Sequence, residues 1–133
     1  MRECAKRMNS CGQPLHLTWV ESHATSLGIP DLNYCYYGVD GWLELKAGPN
    51  IDIRPAQVLW MKEHIVAGGH PLFLIQWSDL FMVIPGSRAS HIRQDTSYEN
   101  VLTNASTVWT DKLPEKEFGR VLRNPRREYE QFE

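Results

Sequence analysis

The run of residues 71–77, PLFLIQW, most strongly limits what this chain can fold into, because it is almost continuously apolar. Such a run is typical of a central strand buried on both faces, which requires a layer of structure on each side of a sheet. The segment before it, residues 55–69, begins with a proline and ends in two glycines, which predicts a helix over most of its length. Residues 80–84, LFMVI, follow a Ser-Asp turn and predict the next strand.

Three more strands are predicted upstream of the helix. Residues 15–21, LHLTWVE, alternate apolar and polar side chains, and residues 31–37, DLNYCYY, are rich in aromatic side chains. Residues 38–41, GVDG, have the composition of a turn, and residues 42–46, WLELK, return as the partner strand. The order strand, strand, strand, helix, strand, strand predicts an α/β protein with a mixed β-sheet flanked by helices.

The remaining segments give weaker patterns. We expect residues 1–13 to form a short helix or a loose arm. Residues 86–110 are predicted to be mostly loop with one short helix. Residues 114–124 begin with a proline, which predicts a final helix.

The apolar side chains of the central helix share one side of it. The helical period places Val58, Met61, Ile65 and Val66 near one face, with Leu59 beside them. We expect this face to pack on the sheet.

Length and composition fit one folded domain. The chain has 133 residues, of which 42% are hydrophobic and 23% charged, close to ordinary globular usage. We therefore expect a single domain over residues 1–133, with its core at about residues 15–85 and a C-terminal extension at 86–133.

The sequence also indicates where such a protein would work. It contains no apolar run long enough for a transmembrane helix, and its basic N-terminus lacks the apolar run of a secretory signal. Its three cysteines are an odd number without a CxxC pair, which argues against a disulfide framework. We expect an intracellular, cytoplasmic protein with no membrane partner.

Charged residues lie in the otherwise apolar and aromatic segment 28–48, GIPDLNYCYYGVDGWLELKAG. Because side chains alternate along a strand, Glu44 and Lys46 share one face while Leu43 and Leu45 point into a core. A hairpin brings Asp31, at the start of the preceding strand, beside them. Two readings follow: a solvated face of an ordinary hairpin, or a metal site that cuts phosphodiesters.

The second reading is chemically specific. Magnesium prefers hard oxygen ligands, typically one or two carboxylates plus waters and a phosphate oxygen. Asp31 and Glu44 supply such a pair, with the backbone carbonyl of Leu45 as a further candidate ligand. Lys46 can then orient the attacking water or stabilise charge that develops on phosphorus.

The sequence GIPD, followed after twelve residues by ELK, resembles the signature of the PD-(D/E)XK nuclease superfamily. More narrowly it is similar to the small VRR-NUC and Holliday-junction-resolvase-like members often found in bacteriophages. The resemblance spans about residues 15–85 and includes RPAQ, where the family shows a Pro-x-Gln at the start of a helix. It implies a restriction-endonuclease-like fold with an αβββαβ core.

The resemblance also implies roles for particular residues. Asp31, Glu44 and Lys46 would form the catalytic core, and Gln57 would contact the site or the phosphate. An upstream acid often completes the metal shell in this family, and Glu21 is the matching candidate, with an exposed strand-end carboxylate as the alternative. The implied cofactor is Mg²⁺, for which Mn²⁺ would substitute.

The implied activity is Mg²⁺-dependent hydrolysis of DNA, with branched DNA as the substrate and a homodimer as the assembly; if the chain is phage-encoded, it would act in the host cytoplasm. Two alternatives stay open: a nicking or trimming nuclease on linear or single-stranded DNA, and a DNA-binding module of the same fold that does not cut.

Candidate DNA contacts lie outside the hairpin. Arg54 precedes the N-terminus of a helix, where anions are favoured, and Lys62 and Ser26 are further candidates. Arg120 and Arg123 belong to a late basic cluster, which a solvated helix face would explain equally well. The net charge of −2 argues mildly against nucleic-acid binding, although metal-binding carboxylates also lower that total.

Overall fold

The protein is built around one six-stranded mixed sheet, as seen in a computed structural model that describes residues 14–20 and 27–133. The strands follow one another across the sheet in chain order. Their bounds are β1 His16–Trp19, β2 Leu32–Tyr36, β3 Val39–Ala47, β4 Leu72–Trp77, β5 Leu80–Pro85 and β6 Thr107–Thr110.

Helices cover both faces of this sheet. The α-helices are α1 Pro55–Val66, α2 Ala89–Gln94, α3 Tyr98–Thr103, α4 Glu115–Arg123 and α5 Arg126–Tyr129. Short 3₁₀ turns lie at Gly86–Arg88 and Glu130–Phe132. The predicted fold class, an α/β protein with a mixed sheet flanked by helices, is confirmed.

The strand pairing is antiparallel except between β3 and β4, which run parallel. Parallel neighbours need a crossover connection, and α1 provides it. The predicted order of three strands, a helix and two strands is therefore correct, and β4 is buried at Leu72, Phe73, Leu74 and Ile75 as its apolar run predicts.

Two hydrophobic clusters lie on opposite faces of the sheet. One packs Leu32, Tyr34 and Leu43 under α4, and the Tyr34 hydroxyl donates a hydrogen bond of 2.8 Å to the Leu122 carbonyl. The other packs Phe73 and the strands beside it under α1 and α2. The second face is the one that carries Glu44, because Glu44 is the register partner of Phe73.

The hairpin turn between β2 and β3 is earlier than predicted. Tyr37 and Gly38 form the turn, both with positive φ of 52° and 78°, and β3 already begins at Val39. Consecutive positive φ values are typical of a tight two-residue hairpin turn. The predicted four-residue turn at 38–41 was wrong because its last three residues pair with β2.

The segment after Pro85 is more ordered than predicted. Residues 86–110 contain a 3₁₀ turn, two short helices and β6, which pairs antiparallel with β5. The prediction of mostly loop was wrong because these elements are short and β6 is stabilised by pairing with a neighbour distant in sequence. The final helix was predicted correctly and runs over α4.

The predicted apolar face of α1 is only partly right. Met61 is buried and Val58 and Ile65 pack against the cores, but Val66 is 81% exposed and Leu59 55%. Both side chains lie on the solvent side of α1.

No helix among the described residues has the length and apolar character needed to cross a membrane. The predicted arm at residues 1–13 lies outside the described part of the chain.

Candidate active site

Asp31 and Glu44 meet across the β2–β3 hairpin. The register pairs Leu32 with Leu43, so Asp31 and Glu44 are the next residues along the two strands. The backbone N–H of Asp31 donates to Glu44 Oε1 at 3.0 Å, and the backbone N–H of Leu45 donates to Asp31 Oδ2 at 2.9 Å. Each acid is thus held by backbone of the opposite strand, which brings the two carboxylates to one place.

Lys46 lies beside this pair. Its ammonium is 3.2 Å from Glu44 Oε2. It also donates to the backbone carbonyl of Asp52 at 2.6 Å and to Gln57 Oε1 at 3.3 Å. An ammonium has three N–H donors, so all three have a partner here. The lysine is consequently fixed over Glu44 rather than extended into solvent.

Gln57 connects the first turn of α1 to the two charged groups. Its Nε2 donates to Glu44 Oε2 at 2.7 Å, and its Oε1 accepts from Lys46 and from the backbone N–H of Arg54 at 2.9 Å. The side chain is 3% exposed. Pro55 begins the helix, where its missing N–H has no intrahelical role. The start of α1 is therefore locked to the site through one amide.

Gly28 fixes the segment that leads to Asp31. Its φ is +84°, and a Cβ at this position would lie 2.0 Å from the carbonyl oxygen of Ala56 in α1. Only glycine allows both the backbone conformation and this close approach. The glycine of GIPD therefore seats the loop on the helix that carries Gln57.

The electrostatics of the site centre on Glu44, which is 4% exposed. Burial raises the pKa of this carboxyl above its usual range, and the charge of Asp31 raises the pKa further. Lys46 acts in the opposite direction and lowers it. Two close acids with one lysine hold excess negative charge, which a cation would relieve.

The donor set suits a hard divalent cation. Two carboxylates are sufficient for Mg²⁺, which usually keeps several waters. Among residues 14–20 and 27–133, no cluster of three or more Asp, Glu, His or Cys side chains has the arrangement of a metal site. Asp31 and Glu44 therefore form a candidate site with two carboxylates, and two carboxylates fit Mg²⁺.

Aromatic side chains lie directly beside the acids. Trp42 is two residues before Glu44 on the same strand face, and its ring centroid is 5.3 Å from that of Trp60 in α1. The ring of His64 stacks on Trp60 at 4.6 Å with an interplanar angle of 13°. Both tryptophans are only half-buried.

The other residues singled out from the sequence lie in several places. Arg54 immediately precedes α1 and reaches Gln57 through its backbone. Lys62 lies on the α2 side of α1, in a groove shared with Val58 and Ser90. The structure does not bring it to the acids. Glu21 and Ser26 lie outside the described residues.

The late arginines separate into two sets. Arg123 and Arg126 line a cavity at the end of the sheet where β3 and β4 begin. Arg120 and Arg127 line a different cavity, between α4 and β6.

The carbonyl of Asp52, which accepts from Lys46, is a contact that the sequence does not predict, because a backbone acceptor leaves no signal in residue type.

Comparison with protein-family models finds no match for this chain, and comparison with curated proteins finds none either. Among solved structures, the chain is similar to the Holliday junction resolvase Hjc of Archaeoglobus fulgidus, with a TM-score of 0.45 and 11% identity. The similarity covers 63% of this chain and 71% of the resolvase. A likeness this distant identifies no residue and no activity, so the chemistry of the site has to be inferred from its own atoms.

Proposed function

We propose that this protein is a Mg²⁺-dependent nuclease that hydrolyses phosphodiester bonds in DNA. The observation that carries the proposal is the meeting of Asp31 and Glu44 across the hairpin with the Lys46 ammonium 3.2 Å from Glu44. Burying Glu44 beside the half-buried carboxylate of Asp31 costs free energy, and a cation bound between the two acids would offset that cost.

Asp31 and Glu44 would hold the metal ion, with the Leu45 carbonyl as a further candidate ligand. When bound, Mg²⁺ acts as a Lewis acid on a phosphoryl oxygen. Mn²⁺ also prefers oxygen ligands of this type and should substitute. Glu21 remains a candidate for an additional carboxylate.

Lys46 would act as an electrostatic clamp. Fixed by Asp52, Gln57 and Glu44, its ammonium needs little reorganisation to stabilise negative charge that develops on the phosphate. Gln57 would act as a positioning residue, since it holds Glu44 and Lys46 in one arrangement and ties both to α1. In this reaction water would attack the phosphorus and give up a proton while the bond from phosphorus to the leaving oxygen breaks. The leaving oxygen takes up a proton, so one strand end carries the phosphate and the other a hydroxyl.

Branched DNA is the finer substrate proposal, with a homodimer in which each protomer cuts one strand. This part rests on the family resemblance of the sequence. Two-fold symmetry would suit a four-way junction, because a symmetric dimer presents the same site twice.

The test is cleavage of labelled linear and four-way-junction DNA with Mg²⁺ or Mn²⁺. We expect Lys46→Ala and Asp31→Asn each to lower the rate by roughly 10²-fold or more. Matched controls are Lys112→Ala and Asp79→Asn, which make the same changes at exposed positions. The proposal is wrong if the wild type cuts nothing with either ion, or if the site variants cut as fast as the controls. Such a result would favour a DNA-binding module without catalysis.

A further inference from the structure

One cavity lies at the end of the sheet where β3 and β4 begin, and its lining includes Trp42, two residues before Glu44 on β3. Its volume is about 230 Å³. The residues that matter for binding come from β3, α1, the loop before β4 and the adjoining ends of α4 and α5. They are Asp40, Trp42, His64, His70, Arg123 and Arg126.

The charge of this cavity favours an anion. Two guanidinium groups outnumber one carboxylate, that of Asp40. Burial lowers the pKa of the His64 and His70 imidazoles, so these two rings add hydrogen-bonding groups rather than charge. Arginine matches phosphate geometry well, because its planar fork presents several N–H donors together. The guanidinium of Arg123 stacks over the ring of Tyr37, 4.0 Å from the ring centroid. Stacking uses the face of the guanidinium and not the N–H donors at its edge.

The opposite wall is aromatic and held in place. Trp42 and His64 line the cavity, with their ring centroids 6.4 Å apart at an angle of 78°. Trp60 supports both rings from the helix side. A fixed aromatic wall beside phosphate-binding groups is the combination by which proteins bind unpaired nucleotides, by stacking on the base and pairing with the backbone.

We propose that this cavity binds one unpaired nucleotide of the DNA strand whose phosphodiester lies at Asp31 and Glu44. The inference rests on the proposed nuclease function. Trp42 and Glu44 share a strand face two residues apart, about 7 Å, so one DNA strand can contact both the cavity and the acids. A volume of about 230 Å³ is below the ~300–1,000 Å³ of most ligand sites and admits a single nucleotide rather than a duplex. The substrate class is therefore DNA with unpaired residues next to the cut, such as an overhang, a flap or an opened junction.

The chain offers a matched pair of variants to test this. Arg126 and Arg127 are adjacent, exposed and both in α5, but Arg126 lines this cavity and Arg127 lines the one beside β6. Arg126→Gln and Arg127→Gln remove the same charge. Binding of a fluorescein-labelled oligo-dT strand is measured in EDTA by anisotropy at several salt concentrations.

We expect Arg126→Gln to weaken oligo-dT binding roughly five- to tenfold and to reduce the slope of log K against log salt by about 0.7, the loss of one phosphate contact. Arg127→Gln should leave both quantities at the wild-type values. Trp42→Leu should weaken oligo-dT binding at least about fivefold with an unchanged salt slope. An equal loss in the two arginine variants would show a general charge effect and overturn the proposal.

Two further ligands identify what the cavity recognises. An abasic strand keeps the phosphates but lacks bases, and a duplex keeps the bases but pairs them. Both should bind more weakly than oligo-dT to the wild type and show no dependence on Trp42. If the abasic strand binds as tightly, the cavity takes phosphate alone and the proposal is wrong.

Failure of this proposal differs from failure of the nuclease proposal. Lysine-dependent cleavage with identical behaviour of Arg126→Gln and Arg127→Gln would remove only the nucleotide cavity. Arg126-dependent oligo-dT binding without any Mg²⁺-dependent cleavage would keep the cavity and remove the nuclease.

Discussion

Two buried glutamates in this molecule have different surroundings. Glu44 is 4% exposed and Glu128 6%. Glu44 accepts from a backbone N–H, an amide and an ammonium, and it lies beside a second carboxylate. Glu128, in α5, accepts from the hydroxyls of Ser106 and Thr107 in and next to β6.

The difference separates a structural contact from a candidate site. We call the Glu128 carboxylate with the Ser106 and Thr107 hydroxyls the Glu128 clamp. The hydroxyls around Glu128 are neutral donors from one neighbouring segment, and their effect is to hold the C-terminal helix against the edge of the sheet. Around Glu44, a second acid adds like charge that burial makes costly. Burial of an acid alone therefore does not mark a site, whereas a second acid with a lysine does.

The largest expected difference between the two glutamates is in catalysis. Glu44→Gln should lower Mg²⁺-dependent DNA cleavage by roughly 10²–10³-fold, because it removes a charge that the proposed reaction uses. Glu128→Gln makes the same chemical change at similar burial and should cleave at the wild-type rate. Initial rates at saturating DNA measure both. Equal losses in the two variants would mean that Glu44, like Glu128, is structural.

Removing the two hydroxyl donors should break the Glu128 clamp. Ser106→Ala combined with Thr107→Val leaves the Glu128 carboxylate buried without the two hydroxyls, which should cost about 2–4 kcal/mol of unfolding free energy. Urea denaturation measures the loss, and Thr110→Val, at an exposed position of the same strand, is the control. A double variant as stable as the control would show that the two hydroxyls do not hold Glu128.

Much of the arrangement around Glu44 follows from local sequence pattern. The two-residue period of a strand puts Leu43 and Leu45 on one face and Glu44 and Lys46 on the other, and this is observed. Because that alternation is a property of neighbouring residues, no knowledge of the rest of the fold was needed. The meeting with Asp31 required only the hairpin, and a turn placed slightly too late did not alter it.

The parts that sequence could not supply depend on distant contacts. The partners of Gln57 arise because the start of α1 packs on β3, and the Asp52 carbonyl has no signature in residue type. The clamp around Glu128 joins α5 to β6, a strand of four residues whose alternation was too short to recognise. The exposure of Val66 depends on where the elements covering α1 end, which the helical period alone does not reveal.

Metal binding should stabilise the protein through Glu44 and not through Glu128. A ligand that binds the native state alone stabilises it by about 2.7 kcal/mol at a hundredfold excess over its Kd. We expect Mg²⁺ to raise the denaturation midpoint of the wild type and of Glu128→Gln, and to have no such effect on Glu44→Gln. NaCl at matched ionic strength controls for screening. A rise of equal size in Glu44→Gln would place the metal elsewhere.

The smallest expected effect is a pH dependence of stability without divalent cations. Burial raises the pKa of Glu44, so with rising pH the unfolded chain loses this proton before the native protein does. The stability contributed by protonated Glu44 is full below its unfolded pKa of about 4.3 and is lost as pH rises through the native pKa. Glu44→Gln lacks this titration, so its stability relative to wild type should increase across that window, by at most about 1.4 kcal/mol per pH unit. Parallel urea titrations in EDTA measure the difference, in which the other acids cancel. A difference that shrinks with rising pH would mean that Lys46 outweighs burial and the charge of Asp31, and that the native site already balances its own charge without a cation.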